Sequence, residues 1–276
     1  MSEEFSSWIG RNVTREDVVT SRLLAEYRAT MAPHLFSPQD PSECPPGLHW
    51  GLAPATPGSD ETGPDGAEAK GLFLPPIPLP RRMWAGGVIE TLKPIRVGER
   101  VTRRSEIADL KMKSSAGGDL CIVSIRHDIS GEDGLALHER QDLVFREPAT
   151  SRVETGAEKV IEADWHVEAS PLLLFRFSAF TFNGHRIHYD PYYAAEEGYP
   201  ALLVHGPLQA TLMLNLAATR LGAIPHRFEY RCLAPLFSGA SFGVAYDGTA
   251  SPATVRVIRS DGVTTAEGRV HARGTG

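Results

Sequence analysis

Apolar and polar positions fall into two series of strands separated by a helix. Between residues 84 and 147, the segments VIETL, RVTRRSEIADLKMK, LCIVSIRHDI and ALHERQDLVFRE are rich in β-branched and alternating apolar residues, and GE, AGGD and GEDG turns divide them. Near the carboxyl end, HRFEYRCLAP, ASFGVAYDG, ATVRVIRS and TTAEGRVHAR repeat the pattern. Between them, HGPLQATLMLNLAATRL (205–221) predicts a helix, with Pro207 suited to its first turn. That helix is apolar nearly all round, so it should be buried. Shorter helical segments are expected at 171–179 and 191–197, and a further helix over 15–32, capped by Thr14. Residues 37–70 read as a long loop, and GLFLPPIPLP (71–80) carries four prolines that exclude helix and central strand.

The two strand series also share a motif. Pro94, Ile95, Gly98 and Val101 have counterparts in Pro235, Leu236, Gly239 and Phe242, 141 residues further on. Such spacing also arises in unrelated strand-turn-strand units, but with strands following in both halves a duplicated domain is the better reading. The polar stretch 148–160 is a candidate linker, dividing the chain into 1–150 and 151–276. A buried helix ahead of a curled antiparallel sheet is the hotdog pattern.

Composition narrows the function. The net charge of −6 argues against a nucleic-acid partner. Cys44, Cys121 and Cys232 are scattered, with neither disulfide nor zinc spacing, which predicts a reducing compartment. The start, MSEEFSSWIG, lacks the apolar core of a signal peptide, and no run is long enough to span a membrane. A cytoplasmic protein is expected.

The stretch FTFNGHRIHYDPYYA (180–194) carries the candidate chemistry. Asn-Gly and Asp-Pro mark turns, so His185 and His188 lie on a loop between apolar segments. A loop histidine is more often solvated or structural than catalytic. As a metal pair these two lack a third ligand at sensible spacing. Asn183-Gly184 can be a plain turn, Asp190 reads as a helix cap before Pro191, and His205 can be simply buried.

With LLVHGPLQATLML following it, this stretch resembles the hydratase-2, or MaoC-like, family of hotdog enoyl-thioester hydratases and dehydratases. His188 and Asp190 fall on the family's H-x-D, and Gly206 on the glycine that opens its helix. FLPPIPLPRRMWAGG, RSEIADLKMK and ERQDLVFRE resemble the amino-terminal half of mitochondrial-type 3-hydroxyacyl-thioester dehydratases and bacterial 3-methylfumaryl-CoA (mesaconyl-C4-CoA) hydratases. The likeness implies an α+β double hotdog, two tandem sheets each curled around a helix, with the catalytic loop in the second half. It departs from the wider family at Asn183, where the hydratase-2 pattern has aspartate.

The resemblance assigns a role to each group. Hydration needs a base for water, a proton for the α-carbon and a partner for the enolate oxygen. His188 is the expected base. Asn183 is the expected orienter of water, because an amide does not trade protons at neutral pH. His185 is a candidate second acid. The Gly206 N–H at the helix tip would bind the oxyanion, since Pro207 has no N–H. Arg81 and Arg82 are candidates to clamp a carboxylate or a CoA phosphate, with Arg186 a second candidate for the carboxylate. The substrate expected is a CoA thioester, best mesaconyl-C4-CoA, with no cofactor and no metal, on a monomer or homodimer. The alternatives are a dehydratase of fatty-acid synthesis acting on a carrier protein, a thioesterase using Glu196 or Glu197, and a non-catalytic acyl-thioester binder.

Overall fold

A computed structural model describes residues 5–115, 118–148 and 153–272. Ten strands form one antiparallel sheet: β1 (Asn12–Val18), β2 (Arg81–Thr91), β3 (Arg100–Ser115), β4 (Gly118–Gly131), β5 (Gly134–Arg146), β6 (Trp165–Glu168), β7 (Arg227–Cys232), β8 (Ser241–Asp247), β9 (Ala253–Ile258) and β10 (Thr264–His271). Their order is β1-β3-β4-β5-β2-β7-β10-β9-β8-β6. Matching β7–β10 to β2–β5 and β6 to β1 makes the order the same from either end, so the two halves join strand to strand at β2 and β7. Gly86 sits on that seam, where a Cβ would lie 2.4 Å from the Tyr230 carbonyl oxygen; no other residue fits. This is the double hotdog expected from the sequence.

The helices are α1 (Ser21–Met31), α2 (Pro171–Thr181), α3 (Pro191–Glu196) and α4 (Gly206–Leu221). Every residue of α4 from Pro207 to Ala218 is buried, as its composition predicts. It packs into the second half's sheet against Phe228, Phe242 and Val257. α1 and α2 follow the edge strands β1 and β6 in equivalent places. The symmetry then breaks: between α1 and β2, the first half holds only the 3-10 turns Leu48–Gly51 and Ser59–Glu61, with no counterpart of α4 among the described residues. The first half's sheet is therefore not filled by a helix, and a cavity of about 1420 Å³ occupies that region.

The helix expected over 15–32 is shorter. Asn12–Val18 alternates exposed and half-buried residues and pairs with β3, so strand pairing overrides the local helical pattern there. The helix starts at Ser21, and its cap is Thr20, not Thr14: the Thr20 hydroxyl accepts the Leu23 N–H at 3.1 Å. The four residues of β6 were too few to stand out as a strand in the sequence. The expected boundary between 150 and 151 lies outside the described residues.

Candidate active site

α2 ends on Phe182 in the left-handed conformation, with φ of 50°. The Asn183 side-chain oxygen accepts the His185 N–H at 3.0 Å, which closes the expected Asn-Gly turn. A Cβ on Gly184 would lie 2.5 Å from the Gly66 carbonyl oxygen, so the first half's loop presses directly on this turn. The Arg186 N–H donates to the Asp65 carbonyl at 2.8 Å, which ties the two halves together. Asp190 caps α3, accepting the N–H groups of Tyr192 and Tyr193 at 3.0 and 3.2 Å, as expected.

His188 is held from two sides. Its Nδ1 lies 2.7 Å from the Leu203 carbonyl oxygen, which can only accept, so Nδ1 carries the proton and Nε2 carries the lone pair. Its ring stacks on that of His205, with centroids 3.6 Å apart and planes 20° from parallel. His205 is the residue before α4 and pairs through Nε2 with the Ser178 hydroxyl at 2.8 Å. This stack places His188 beside the tip of α4, and His188 and Gly206 line the same cavity. His205, expected from the sequence to be simply buried, forms the surface on which the candidate base rests.

Burial, with a smaller push from His185, drives the His188 pKa down to about 3, against the opposing Leu203 hydrogen bond. His185 is likewise lowered to about 3 by burial and then by Arg82, and His127 in the first half to about 3, chiefly by burial. All three are therefore neutral at physiological pH. In the unfolded chain each regains its ordinary value of 6.5. Below 6.5 the unfolded state binds more protons than the native state, so stability rises with pH between about 3 and 6.5 and these groups cost nothing above that window. The melting temperature should thus fall clearly from pH 7.5 to pH 5, and calorimetry showing a level value across that range would contradict the buried, neutral histidines.

The Gly206 N–H makes no hydrogen bond among the described residues, as befits the first amide of a helix, and the helix dipole adds partial positive charge there. The glycine has a reason beyond substrate approach. A Cβ at this position would lie 3.1 Å from both the Cys232 sulfur and the Trp84 Cβ. Gly206→Ala therefore requires Cys232 and Trp84 to give by a few tenths of an ångström. The expected outcome is a loss of about 1–3 kcal/mol in unfolding free energy, measured by denaturant titration, with a fall in turnover alongside.

The expected arginines separate. Arg81 and Arg82 line the cavity. Arg81 is buried and committed, donating from Nε to Glu197 at 2.8 Å, with its guanidinium over the Tyr199 ring. Arg82 donates to the Glu68 carbonyl at 3.0 Å and lies 3.4 Å from Asp65. Arg186 is not among the lining residues; it forms a two-pronged pair with Asp190, at 3.0 and 2.7 Å, and also reaches the Pro64 carbonyl. Asp190 and the backbone thus take up the donors that a substrate carboxylate would need. Glu197 is occupied by Arg81 and by the Tyr193 hydroxyl, and neither Glu196 nor Glu197 lines the cavity. Asp65, unmarked in the sequence, puts its carboxylate 4.0 Å from His185 Nε2. No group of three or more His, Cys, Asp or Glu is placed to hold a metal among the described residues.

The double hotdog is the fold of the hotdog enoyl-thioester hydratases and dehydratases, and here a neutral imidazole and a helix-tip amide line one cavity between its halves. The hydroxyacyl-thioester dehydratase type 2 family matches residues 47–238, and the chain belongs to it. It is a hydro-lyase. It is 41% identical to the mesaconyl-C(4)-CoA hydratase of Chloroflexus aurantiacus, over 87% of this chain and 88% of that one. It is 24% identical to the mitochondrial hydroxyacyl-thioester dehydratase type 2 of Schizosaccharomyces pombe, over 82% of this chain and 86% of that one. Among solved structures, HtdX of Mycobacterium tuberculosis superposes with a TM-score of 0.69 at 18% identity, covering 95% of this chain and all of that one.

Proposed function

We propose that the protein adds water reversibly across the double bond of mesaconyl-C4-CoA, giving a 3-hydroxyacyl-CoA. The observation that carries the reaction is the free Nε2 lone pair of His188 in the same cavity as the Gly206 N–H. Nε2 takes a proton from water as the oxygen bonds to the β-carbon. The π electrons move to the thioester oxygen, which the Gly206 N–H holds as an oxyanion. The enolate then collapses, and the α-carbon takes the proton from His188. An imidazolium whose pKa is held low by burial gives its proton up readily, which suits the second step. The Asn183 oxygen is used in its turn, so its NH₂ group is what remains to orient water. His185, neutral and beside Asp65, supports the loop and is the second candidate acid. Arg82 is the cation offered to an anionic part of the thioester, while Arg81 shapes the wall.

Support for this substrate comes from the identity to the Chloroflexus enzyme over most of both chains and from the polar side chains of Arg103, Ser105, His127 and Gln141 among the residues that line the cavity. No helix among the described residues is long and apolar enough to cross a membrane. The three cysteines are free, in keeping with a reducing, cytoplasmic location. Two halves in one chain make a monomer self-sufficient, and a homodimer remains compatible with it.

The test is incubation of the pure protein with mesaconyl-C4-CoA and with crotonyl-CoA, following enoyl-thioester absorbance and free thiol together. Loss of absorbance on mesaconyl-C4-CoA without thiol is expected. Thiol release would make the protein a thioesterase, and turnover of crotonyl-CoA alone would favour the fatty-acid dehydratase.

A further inference from the structure

Arg15 on β1 and Arg103 on β3 are directly opposed in the sheet register, and both line the cavity. Two like charges facing each other across strands destabilise a sheet unless something lies between them. Each has a carboxylate nearby, but neither carboxylate is within hydrogen-bond distance: Glu68 is 3.8 Å from Arg15 and Glu139 is 4.0 Å from Arg103. The Arg103 side chain is only 11% exposed. Of its five N–H donors, one makes a long contact of 3.4 Å to the Leu52 carbonyl, and the rest have no acceptor among the described residues. Burial works against its charge, Glu139 opposes that, and the neighbouring Arg15 adds a smaller push in the same direction as burial. A guanidinium this enclosed and this unsatisfied is built to receive an anion.

The surroundings say which anion. Ser105, two residues along β3, donates its hydroxyl to His127 Nδ1 at 2.7 Å, and His127 Nε2 donates to the Gln141 oxygen at 2.8 Å. The Gln141 NH₂ is left as a donor with no partner among the described residues. The row lies on the acyl side of the catalytic corner. Trp84 touches Gly206 and opposes Leu143 on β5, and Gln141 is two residues further along that strand. The Trp50 ring bridges the same gap, 6.4 Å from Trp84 on one side and donating to Glu139 at 2.9 Å on the other. It is the place left open where the first half has no helix.

We propose that Arg103, assisted by Arg15 and the Gln141 amide, is the seat for a carboxylate at the far end of the acyl chain, and so selects dicarboxylic acyl-CoA thioesters over aliphatic ones. This rests on reading the cavity as an acyl-CoA site. It separates the duties of the arginines: Arg103 reads the acyl end, and Arg82 stands beside the catalytic loop.

The test uses two unreactive thioesters of equal chain length, succinyl-CoA and butyryl-CoA, with binding measured by calorimetry on wild type and Arg103→Met. Wild type should bind succinyl-CoA more tightly by roughly 10- to 100-fold, the range for a charge-assisted hydrogen-bonded pair, and Arg103→Met should erase that preference while leaving butyryl-CoA unchanged. Arg15→Met, at the sheet's edge strand, should narrow the preference without abolishing it, and it serves should Arg103→Met fail to fold. Equal weakening of both thioesters by the substitutions would assign the arginines to the CoA phosphates and overturn the proposal. A wild type without preference would overturn it too. A wild type that binds neither thioester would sink the acyl-CoA reading as well, which distinguishes the two failures.

Discussion

His188→Ala is expected to lower kcat by ~10²–10⁴-fold with little change in KM, because the lost group acts on protons that move only in the transition state. The protein should stay folded. The ring removed leaves His205 anchored to Ser178, and among the described residues the side-chain hydrogen bond lost is that to the Leu203 carbonyl. The cost in stability is about 1 kcal/mol for that bond plus the stacking contact. His185→Ala should be milder on activity, since His185 stands edge-on to His188 and alanine keeps the backbone N–H that closes the Asn183 turn. The wild-type profile of kcat/KM should stay level from pH 8 to pH 5, because a base with a pKa of about 3 remains unprotonated throughout. An acid limb near 6.5 would mean that the ring is better solvated than its position allows.

Glu139→Ala should be the most destabilising single change in the first half. This carboxylate is fully buried. Burial alone would push its pKa up, but His49 first and Arg103 after it outweigh that and hold it at about 2, so it is charged in the native state. Its oxygens accept the Trp50 indole N–H at 2.9 Å and face His49 at 3.6 Å and Arg103 at 4.0 Å. Removing it strands the indole N–H and leaves Arg103 buried without a counter-charge. Breaking one side of a buried pair costs about 3–5 kcal/mol, equivalent to roughly 10 °C in a chain of this size. Glu139→Gln should cost less, since an amide oxygen still accepts from Trp50. As a control, Glu90→Ala at the half-exposed pair with Arg227 should cost under ~1 kcal/mol. Comparable losses for Glu139→Ala and Glu90→Ala would show that the buried network contributes nothing special.

Much of the fold was legible because its signals are local. The two strand series, the apolar helix at 206–221 and the turn chemistry around Asn183 and Asp190 each follow from residues within one segment. The mirrored strand order gives physical meaning to the faint motif shared by Pro94 and Pro235. What escaped depends on pairing across the molecule. Val13, Arg15 and Asp17 belong to a strand only because β3 lies beside them. Arg186 looks available in the sequence until Asp190, four residues on, folds back onto it. His205 gains its place from a ring 17 residues earlier, and Arg103 from the missing helix and from Arg15 across the sheet. The i,i+4 spacing of Arg186 and Asp190 was a usable signal; for Arg103 the only hint was an arginine at an inward position of an alternating strand.

One imidazole takes a proton from the attacking water and returns it to the α-carbon, and stereochemistry tests this most directly. Hydration of mesaconyl-C4-CoA run in D₂O, with the product's diastereotopic α-protons assigned by NMR, should give a single diastereomer with deuterium and hydroxyl on the same face. Deuterium on the opposite face, or on both, would require a second acid across the substrate and would contradict His188 as the sole proton carrier.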